Sequence, residues 1–512
     1  MIKSLSSRPY LILVLLLLLG LILRLLDLTD PPLDFHPSRQ LRNALVARDI
    51  YYHLLPNADP QTLELTSSFF RAVGQYEPPV IESLVAVSYL VTGGENYAAP
   101  RVLESIFWIL GGVALFDLAR RGSSWRGPAV APWAALAAVA YYLVLPFAAQ
   151  ASRSFQPDPL MAAAFVAGIY FLHRWSEERA PAAAPGDPVR DTRASWRWAV
   201  LAGVLLGFAT LVKIVIAFLV AGGAAALVLF TLGRSFWKSR QVWTMAVLMI
   251  VPALLYYVLL NSGRAGEYFI SWSASMLKLI TSADFYSRWL AFLGSLFGLT
   301  ILFLSLAGTF VAAPRLRALL IGLWVGYAAY GLTLPFQMYT HSYYHIQLVP
   351  VIALGLSAAL HPLFNRAASQ PPAARAAFAA VILALLGYQA WVARSVLIAE
   401  DFRQEPPVWA EIGAAIPADA DVIGLTQDYG YRLMLWGWRK VSLWPLNTEL
   451  ADVRNEDRDL AARFDEITDG KEYFLVTAFG QLDKQPELKQ ILAGYPIAAE
   501  GDGFVLYDLR EK

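Results

Sequence analysis

Long apolar stretches separated by short polar segments occupy about the first 395 residues of the chain. Stretches long enough to cross a membrane lie near residues 10–28, 101–119, 129–149, 158–173, 198–232, 242–260, 289–312, 316–335, 343–361 and 376–395. The stretch 198–232 has 35 residues, which would make a helix about 52 Å long, whereas the apolar core of a bilayer is about 30 Å thick. We therefore expect two spans that break near its only charge, Lys213, and the pattern predicts about eleven transmembrane helices.

The distribution of basic residues gives the predicted orientation. A further apolar segment, Pro78–Gly93, starts with two prolines and contains Glu82. If this segment does not cross and the N-terminus is cytoplasmic, the inside loops carry 17 Lys and Arg residues and the outside loops carry eight. A crossing would place the basic loops outside, against the positive-inside rule. We therefore predict a first outer loop, 29–100, with interfacial helices.

From residue 396 the composition becomes that of a soluble domain. Its pattern predicts helices at Val408–Ile416 and Pro486–Leu492 and strands at Asp421–Leu425, Tyr473–Thr477 and Phe504–Leu509. The predicted fold class is thus a polytopic α-helical membrane protein, with a transmembrane domain 1–395 and a small extracytoplasmic α/β domain 396–512. The inside loop Ala180–Asp191, rich in Ala and Pro, is predicted to be a flexible linker.

Composition supports a membrane protein and excludes several kinds of function. The chain is 57% hydrophobic and 16% charged, which is too apolar for a soluble protein of 512 residues. Its net charge of +1 provides no general basic field for nucleic acid. It contains no cysteine, which excludes disulfides, thiolate nucleophiles and Cys-based metal sites.

The unusual polar residues fall on the predicted outer side of the membrane. They are Asp34, His36, Arg39 and Glu77 in the first outer loop, Arg153 and Asp158 in the second, Lys213 at the turn of the long stretch, and His341, Tyr344 and His345 at the start of the tenth span. Ionisable groups at a membrane boundary are costly unless they meet a partner, a cavity or water. A carboxylate there could act as a general base on an acceptor hydroxyl, and cations such as Lys213 and Arg153 could stabilise a departing phosphate.

Six features occur in the order found in one family. They are Asp34 in the first outer loop, Pro78-Pro79, Arg101 at the start of the second span, and the stretches Arg153–Asp158, Gly207–Lys213 and His341–His345. With them the chain resembles the GT-C fold glycosyltransferases of the group that contains aminoarabinose transferases and protein O-mannosyltransferases. The resemblance covers roughly residues 10–360.

The resemblance implies inverting transfer of a sugar from a polyprenyl-phosphate donor to a lipid, glycan or protein acceptor at the outer face of the plasma membrane. By position it makes Asp34 and Asp158 the catalytic residues and places Lys213 near the donor phosphate. We further predict donor-phosphate contacts from Arg153, Tyr344 and His345, and substrate contacts from His36, Arg39, Glu77 and His341. No cofactor is predicted. Metal use stays open because Phe35 follows Asp34, where many relatives have a second acid.

Each of these residues also has a structural interpretation. Asp34 could cap a helix or pair with Arg39, and Asp158 could be an N-cap-like residue with Pro159 at the first helical position. Lys213 could extend to the interface without a ligand. His341 and His345 would share a helix face, a spacing suited to metal, but with no third ligand polar packing is favoured.

Two other classes of function stay open. One is a secondary transporter of an anionic solute or lipid, although transporter sites usually lie near the bilayer midplane, where these spans are almost free of charge. The other is a scaffold whose outer domain binds a partner.

Overall fold

The computed structural model describes residues 2–123, 128–179, 192–261, 271, 273–447 and 460–511. The predicted linker Ala180–Asp191 lies outside these residues. The first group of helices is α1 Ile2–Arg24, α2 Pro37–Leu54, α3 Pro60–Val73, α4 Val80–Thr92, α5 Ala98–Ser123, α6 Ala131–Val144, α7 Pro146–Ala151, α8 Pro157–Glu178, α9 Arg193–Val212, α10 Ala217–Leu232 and α11 Arg240–Leu254. The second group is α12 Ala283–Phe297, α13 Leu299–Val311, α14 Pro314–Thr333, α15 Leu348–Ala368, α16 Pro372–Leu397, α17 Glu405–Ala415, α18 Leu460–Thr468, α19 Phe479–Leu482 and α20 Pro486–Leu492.

Many of these helices are apolar enough for a membrane. Within the residues the structure describes, seven helical segments are long and apolar enough to cross, and eight if the bent pair α12–α13 counts as one span. The predicted number of eleven stays a prediction. Helix α4 has 13 residues, about 20 Å, which is too short to cross a core of about 30 Å as a straight helix. This length agrees with the predicted interfacial position of Pro78–Gly93.

The first of two compact units comprises Met1–Leu28, Gln75–Ile81 and Ala98–Ala399. In it α9 packs against α8 and α11, α10 packs against α14, and α13 packs against α15. Glycine permits the closest of these approaches. A Cβ added at Gly207 of α9 would lie 2.0 Å from the Leu248 carbonyl oxygen of α11, and one at Gly322 would lie 2.2 Å from the Gly222 carbonyl oxygen. Small residues of this kind let membrane helices pack backbone against backbone.

The break predicted in the stretch 198–232 is confirmed. Helix α9 starts in a capping box, where the side chains of Thr192 and Ser195 each accept from the other's backbone N–H, and it ends at Val212. Lys213 follows with an extended backbone, φ −151° and ψ 110°, and a short 3-10 turn then leads into α10. The charge thus lies at the break between two helices.

The second unit comprises Thr29–Gly74, Glu82–Tyr97 and Glu400–Lys512. Its described residues form a sheet of five strands in the order β2-β1-β3-β5-β4, in which β1 pairs in parallel with β2 and β3, and β5 pairs antiparallel with β3 and β4. The strands are β1 Val422–Leu425, β2 Ser442–Leu443, β3 Tyr473–Val476, β4 Ile497–Gly501 and β5 Phe504–Asp508. The three strands predicted from the sequence are confirmed. Strand β2 has only two residues and β4 is mostly exposed, so neither had a usable pattern of hydrophobic positions.

This unit joins segments of the first outer loop to the C-terminal tail. Arg48 of α2 forms a two-pronged ion pair with Glu95, with Nε–Oε1 and Nη2–Oε2 both 2.9 Å, and its guanidinium carbon lies 4.3 Å from the centre of a Trp438 ring. The Trp436 indole donates to the Tyr97 hydroxyl at 2.8 Å. A buried Arg held by a carboxylate and an aromatic face is a strong tether because both contacts form where water is excluded.

Candidate functional site

A buried ion pair at the break between α9 and α10 is the centre of the candidate site. Lys213 Nζ donates to Asp158 Oδ1 at 2.6 Å, and the two residues are 3% and 2% exposed. Among the residues that the structure describes, the second oxygen of Asp158, Oδ2, has no hydrogen-bond partner. The sequence predicted both residues for the site, and the structure brings them into direct contact.

The helix carrying Asp158 starts two residues earlier than the N-cap interpretation of Asp158 predicts. Pro157 is the first residue of α8, and Gln156, with an extended backbone, is its N-cap. The alternative of Asp158 as an N-cap-like residue before Pro159 is therefore wrong, because Pro157 rather than Pro159 takes the first helical position, which proline favours. Asp158 instead lies in the first turn of α8, where the helix dipole stabilises its negative charge.

Two tyrosine rings lie against the ammonium group. Lys213 Nζ is 4.7 Å from the centre of the Tyr343 ring and 5.0 Å from that of Tyr344, and both rings are buried. These distances allow cation–π attraction. Tyr330 of α14 packs behind them, with its ring centre 6.2 Å from that of Tyr344. The predicted site residue Tyr344 thus contacts the same cation as Asp158.

His345 supports the segment that carries this tyrosine pair through hydrogen bonds at both ring nitrogens, and its predicted contact with the donor phosphate stays a prediction. Its Nε2 lies 3.2 Å from the Met338 carbonyl oxygen and its Nδ1 lies 2.7 Å from the Tyr327 hydroxyl. Since a carbonyl only accepts, Nε2 carries the proton, and a neutral ring then accepts at Nδ1 from Tyr327. Tyr327 in turn accepts from the Trp289 indole at 3.1 Å. Both nitrogens of His345 are engaged, so a direct contact to a phosphate would require this chain of bonds to open.

The two histidines do not share an α-helical face as predicted. His341 precedes the 3-10 helix Ser342–His345, and α15 starts only at Leu348. Because a 3-10 helix has about three residues per turn, residues four apart diverge around its axis. His341 Nδ1 lies 2.6 Å from the Thr340 hydroxyl. Among the described residues no group of three or more His, Cys, Asp or Glu side chains could hold a metal ion.

Arg153 is bound to backbone carbonyls. Its Nη1 donates to the Leu26 carbonyl just after α1, and its Nη2 donates to the Leu397 carbonyl at the end of α16, at 3.3 Å. It is 1% exposed. These contacts satisfy carbonyls at two helix ends, so the predicted role at the donor phosphate stays a prediction.

Sequence reasoning missed Arg24, which lies inside the first predicted span. Its guanidinium donates to the Ser152 hydroxyl at 2.7 Å and to the carbonyls of Gly20 and Leu143 at 2.8 and 2.9 Å. It is fully buried and holds the segment that leads into α8. The signal was available, because a charged residue within a leucine-rich span is a functional hypothesis by default.

The predicted site residues of the first outer loop belong to both units: Asp34, His36 and Arg39 to the second, and Glu77 to the first. In the second unit, the buried side chain of Gln40 donates through Nε2 to Asp34 Oδ1 at 3.1 Å and to the Phe35 carbonyl at 2.9 Å. Asp34 is half-buried. His36, with left-handed φ 48° and ψ 70°, is the N-cap of α2, and Arg39 lies in its first turn. Glu77 belongs to the first unit and is half-buried before α4.

Comparison with solved structures identifies the fold. ArnT from Cupriavidus metallidurans bound to undecaprenyl phosphate superposes with a TM-score of 0.57 at 16% identity, over 96% of this chain and 97% of that chain. The chain has the GT-C fold. The apo form of the same ArnT gives a TM-score of 0.55 at 15% identity over 98% of each chain. The predicted GT-C membrane fold is thereby confirmed, whereas the number of spans, their orientation and the extracytoplasmic C-terminal domain stay predictions.

Two further comparisons agree with the GT-C fold. The archaeal oligosaccharyltransferase AglB from Archaeoglobus fulgidus, in complex with an inhibitory peptide and a dolichol-phosphate, gives a TM-score of 0.53 at 14% identity, covering 92% of this chain and 69% of that chain. Residues 76–259 match the family described as dolichyl-phosphate-mannose-protein mannosyltransferase, and this range includes both Asp158 and Lys213. A search of curated protein sequences gives no significant match.

Proposed function

We propose that this protein is an inverting glycosyltransferase that moves a sugar from a polyprenyl-phosphate donor to a lipid, glycan or protein acceptor. The observation that carries the proposal is the buried Lys213–Asp158 pair against the faces of Tyr343 and Tyr344. Support also comes from the two solved proteins of the same fold, since the ArnT structure contains undecaprenyl phosphate and the AglB structure contains a dolichol-phosphate and an inhibitory peptide.

The leaving group determines what the site must supply. As the bond between the anomeric carbon and the phosphate oxygen breaks, its electron pair moves onto the phosphate. A cation in a buried site stabilises that charge far better than one in water. Lys213 has three N–H donors, of which one serves Asp158 Oδ1 at 2.6 Å. The ammonium can therefore hold a phosphate oxygen while keeping its carboxylate partner.

Asp158 would contact both Lys213 and the donor sugar. Its Oδ1 holds Lys213, and its Oδ2, buried and without a partner among the described residues, is suited to accept a hydrogen bond from the donor sugar. A buried carboxylate oxygen without a partner costs free energy, which a bound hydroxyl would recover. The GT-C resemblance assigns the remaining step to Asp34, which would take the proton of the acceptor hydroxyl as its oxygen attacks the anomeric carbon from the face opposite the phosphate.

The tyrosine pair would position the cation. The hydrogen bonds from His345 to Met338 and Tyr327 fix the 3-10 helix that carries Tyr343 and Tyr344.

We propose that the protein is an integral protein of the cell membrane with a cytoplasmic N-terminus, so that this cluster and the C-terminal domain lie at the outer face. The excess of basic residues in the predicted inside loops supports this orientation.

The experiment compares variants of the purified protein in nanodiscs with radiolabelled polyprenyl-phosphate sugars. We expect Asp34→Asn to lower the transfer rate about 10²–10⁴-fold and to leave binding of undecaprenyl phosphate unchanged. We expect Lys213→Met to weaken that binding and to lower transfer about 10²–10³-fold. Asp284→Asn and Lys238→Met are matched controls, since Asp284 is 59% exposed and Lys238 lies in another 3-10 helix. Normal transfer by folded Asp34→Asn and Asp158→Asn proteins would refute these roles.

A second candidate, transport of an anionic lipid, takes support from one observation. Lys213 lies at a break between two helices, and broken helices commonly carry the binding sites of transporters. Proteoliposomes that move a fluorescent polyprenyl phosphate across the bilayer, in a manner lost in Lys213→Met and without sugar transfer, would favour transport.

A further inference from the structure

The order of the strands in the second unit points to one edge of its sheet. Strands β2, β1 and β3 are parallel and adjacent in that order. The chain therefore forms β2 on one side of β1 and then crosses over to form β3 on the other side of β1. Where the strand order reverses in this way, the carboxyl ends of the two strands leave a crevice in which α/β proteins commonly bind ligands. Here that crevice follows Leu425 and Val476.

The loop that follows β1 has an unusual backbone. Asp428 and Tyr429 have φ 48° and 58°, and Gly430 follows with φ 75°. Three successive residues thus adopt the left-handed conformation, although only the third is a glycine. Residues other than glycine occupy this region at a cost in free energy, and such strain is concentrated where a loop serves function. Tyr429 is 43% exposed, so packing in the core does not explain its strained backbone.

A buried hydroxyl lies at the start of the same loop. Thr426 is 3% exposed, and its Oγ1 has no hydrogen-bond partner among the residues that the structure describes. A Cβ added at Gly430 would lie 3.4 Å from this oxygen but only 2.2 Å from Val441 Cγ1, so the glycine lets Val441 pack beside the hydroxyl. A buried hydroxyl without a partner is destabilising unless water or a ligand completes it.

The surrounding polar groups are held in place. Gln427 Nε2 donates to the Thr477 carbonyl at 2.9 Å, and the Thr477 hydroxyl donates to Gln427 Oε1 at 2.5 Å, which joins the loops after β1 and β3. Arg432 donates to Asp428 Oδ2 at 2.6 Å and to Glu405 at 2.9 Å. The edge therefore presents an amide, a carboxylate and a guanidinium in a fixed arrangement.

We propose that this edge, formed by the loops after β1 and β3, binds carbohydrate. Exposed aromatic rings, Tyr429 after β1 and the 40% exposed Phe479 after β3, can cover the apolar C–H face of a sugar ring. The planar polar groups can pair with hydroxyls, and Thr426 can complete its missing bond with one of them. That the bound sugar is the acceptor of the transferase rests on the function proposed above.

A peptide fits this edge less well. Peptides that add to a sheet use the unpaired backbone of an outer strand. The outer strands here are β2 and β4, whereas β1 and β3 are both paired on two sides. The carboxyl edge thus offers side chains and no open backbone ladder, which favours a compact, hydroxyl-rich ligand.

The test is saturation-transfer NMR of the full-length protein with methyl glycosides of glucose, mannose and galactose and with maltotriose, all at millimolar concentration. We expect binding of at least one sugar, an affinity about tenfold lower in Tyr429→Asn, and retention in Tyr429→Phe, which keeps the ring. Asparagine tolerates the left-handed conformation, so the unfolding midpoint of Tyr429→Asn should match the wild type. Ile497→Ala on β4, a residue that is 53% exposed, is the control and should bind normally.

Thr426→Val separates binding from stability. The valine keeps the shape and removes the hydroxyl without a partner, so we expect a higher unfolding midpoint together with weaker sugar binding. No binding of any sugar by the wild type, equal binding by Tyr429→Asn, or binding of extended peptides at this edge instead would each overturn the proposal. Because the assay measures binding alone, it stays informative if the transferase proposal fails.

Discussion

The Lys213–Asp158 pair allows its structural and chemical roles to be separated. The charges are 2.6 Å apart, and at an effective dielectric constant of about 20 their gross attraction is about 6 kcal/mol. Desolvation of two groups that are 3% and 2% exposed offsets much of this. Removing one partner leaves the other charge buried and alone, which costs about 3–5 kcal/mol, whereas replacing both partners by neutral groups is often close to neutral.

We therefore expect Lys213→Met and Asp158→Asn each to lower the free energy of unfolding by about 3–5 kcal/mol. The double variant should recover most of that loss, with a coupling energy of at least about 2 kcal/mol. Unfolding midpoints in nanodiscs, with and without undecaprenyl phosphate, measure the stability of each variant and its stabilisation by the lipid phosphate. The recovered double variant should neither be stabilised by the lipid phosphate nor transfer sugar. A double variant that is stable and fully active would show that the pair only supports the fold, and additive losses would refute the coupling.

Two further predictions concern packing and acid stability. Gly207→Ala should destabilise the protein by about 1–3 kcal/mol, because its Cβ would meet the Leu248 carbonyl oxygen at 2.0 Å. Gly387→Ala is the control and should leave stability unchanged, since no atom lies within 4 Å of its added Cβ. The unfolding midpoints of the two variants test this difference. In the C-terminal sheet, hydrogen bonds from Arg510 hold the pKa of Asp508 below its usual value. The folded pKa is the lower one, so this stabilisation is present above about pH 4 and is lost as the pH falls through the folded pKa. Arg510→Gln should therefore lower the unfolding midpoint slightly at neutral pH, because the exposed pair is screened by water, and less and less as the pH falls; a difference that grows in acid would contradict the assignment.

The features that the sequence predicted well are those set by length and periodicity. The stretch 198–232 exceeds the thickness of a bilayer core, and the chain breaks it at the only charge, Lys213. The strands Val422–Leu425, Tyr473–Val476 and Phe504–Asp508 are short buried or half-buried runs between turn residues and were found to within a residue or two. Helix α20 was found with its bounds, because Pro486 marks its first turn.

The features that the sequence predicted poorly depend on local backbone geometry and on contacts between residues that are distant in the chain. Two prolines flank Asp158, and only the backbone shows that the first of them starts the helix. The helix containing His345 is of the 3-10 kind, so the spacing of four from His341 did not give one face. The partners of Arg153, the carbonyls of Leu26 and Leu397, lie 127 and 244 residues away, and no local pattern reveals such contacts.

The contacts of Arg24 have a consequence for biosynthesis. Its acceptors Leu143, Ala148 and Ser152 lie 119, 124 and 128 residues later in the chain. An arginine in a membrane helix costs about 2.5–3.5 kcal/mol for insertion until it finds polar partners. As the predicted first span, helix α1 would enter the bilayer with only the Gly20 carbonyl of its own helix as an acceptor for Arg24, and the other acceptors would follow only after α6 and α7 have been translated. We expect a ribosome-bound fragment that ends before residue 143 to hold α1 near the translocon, and a fragment that extends past residue 152 to release it into lipid.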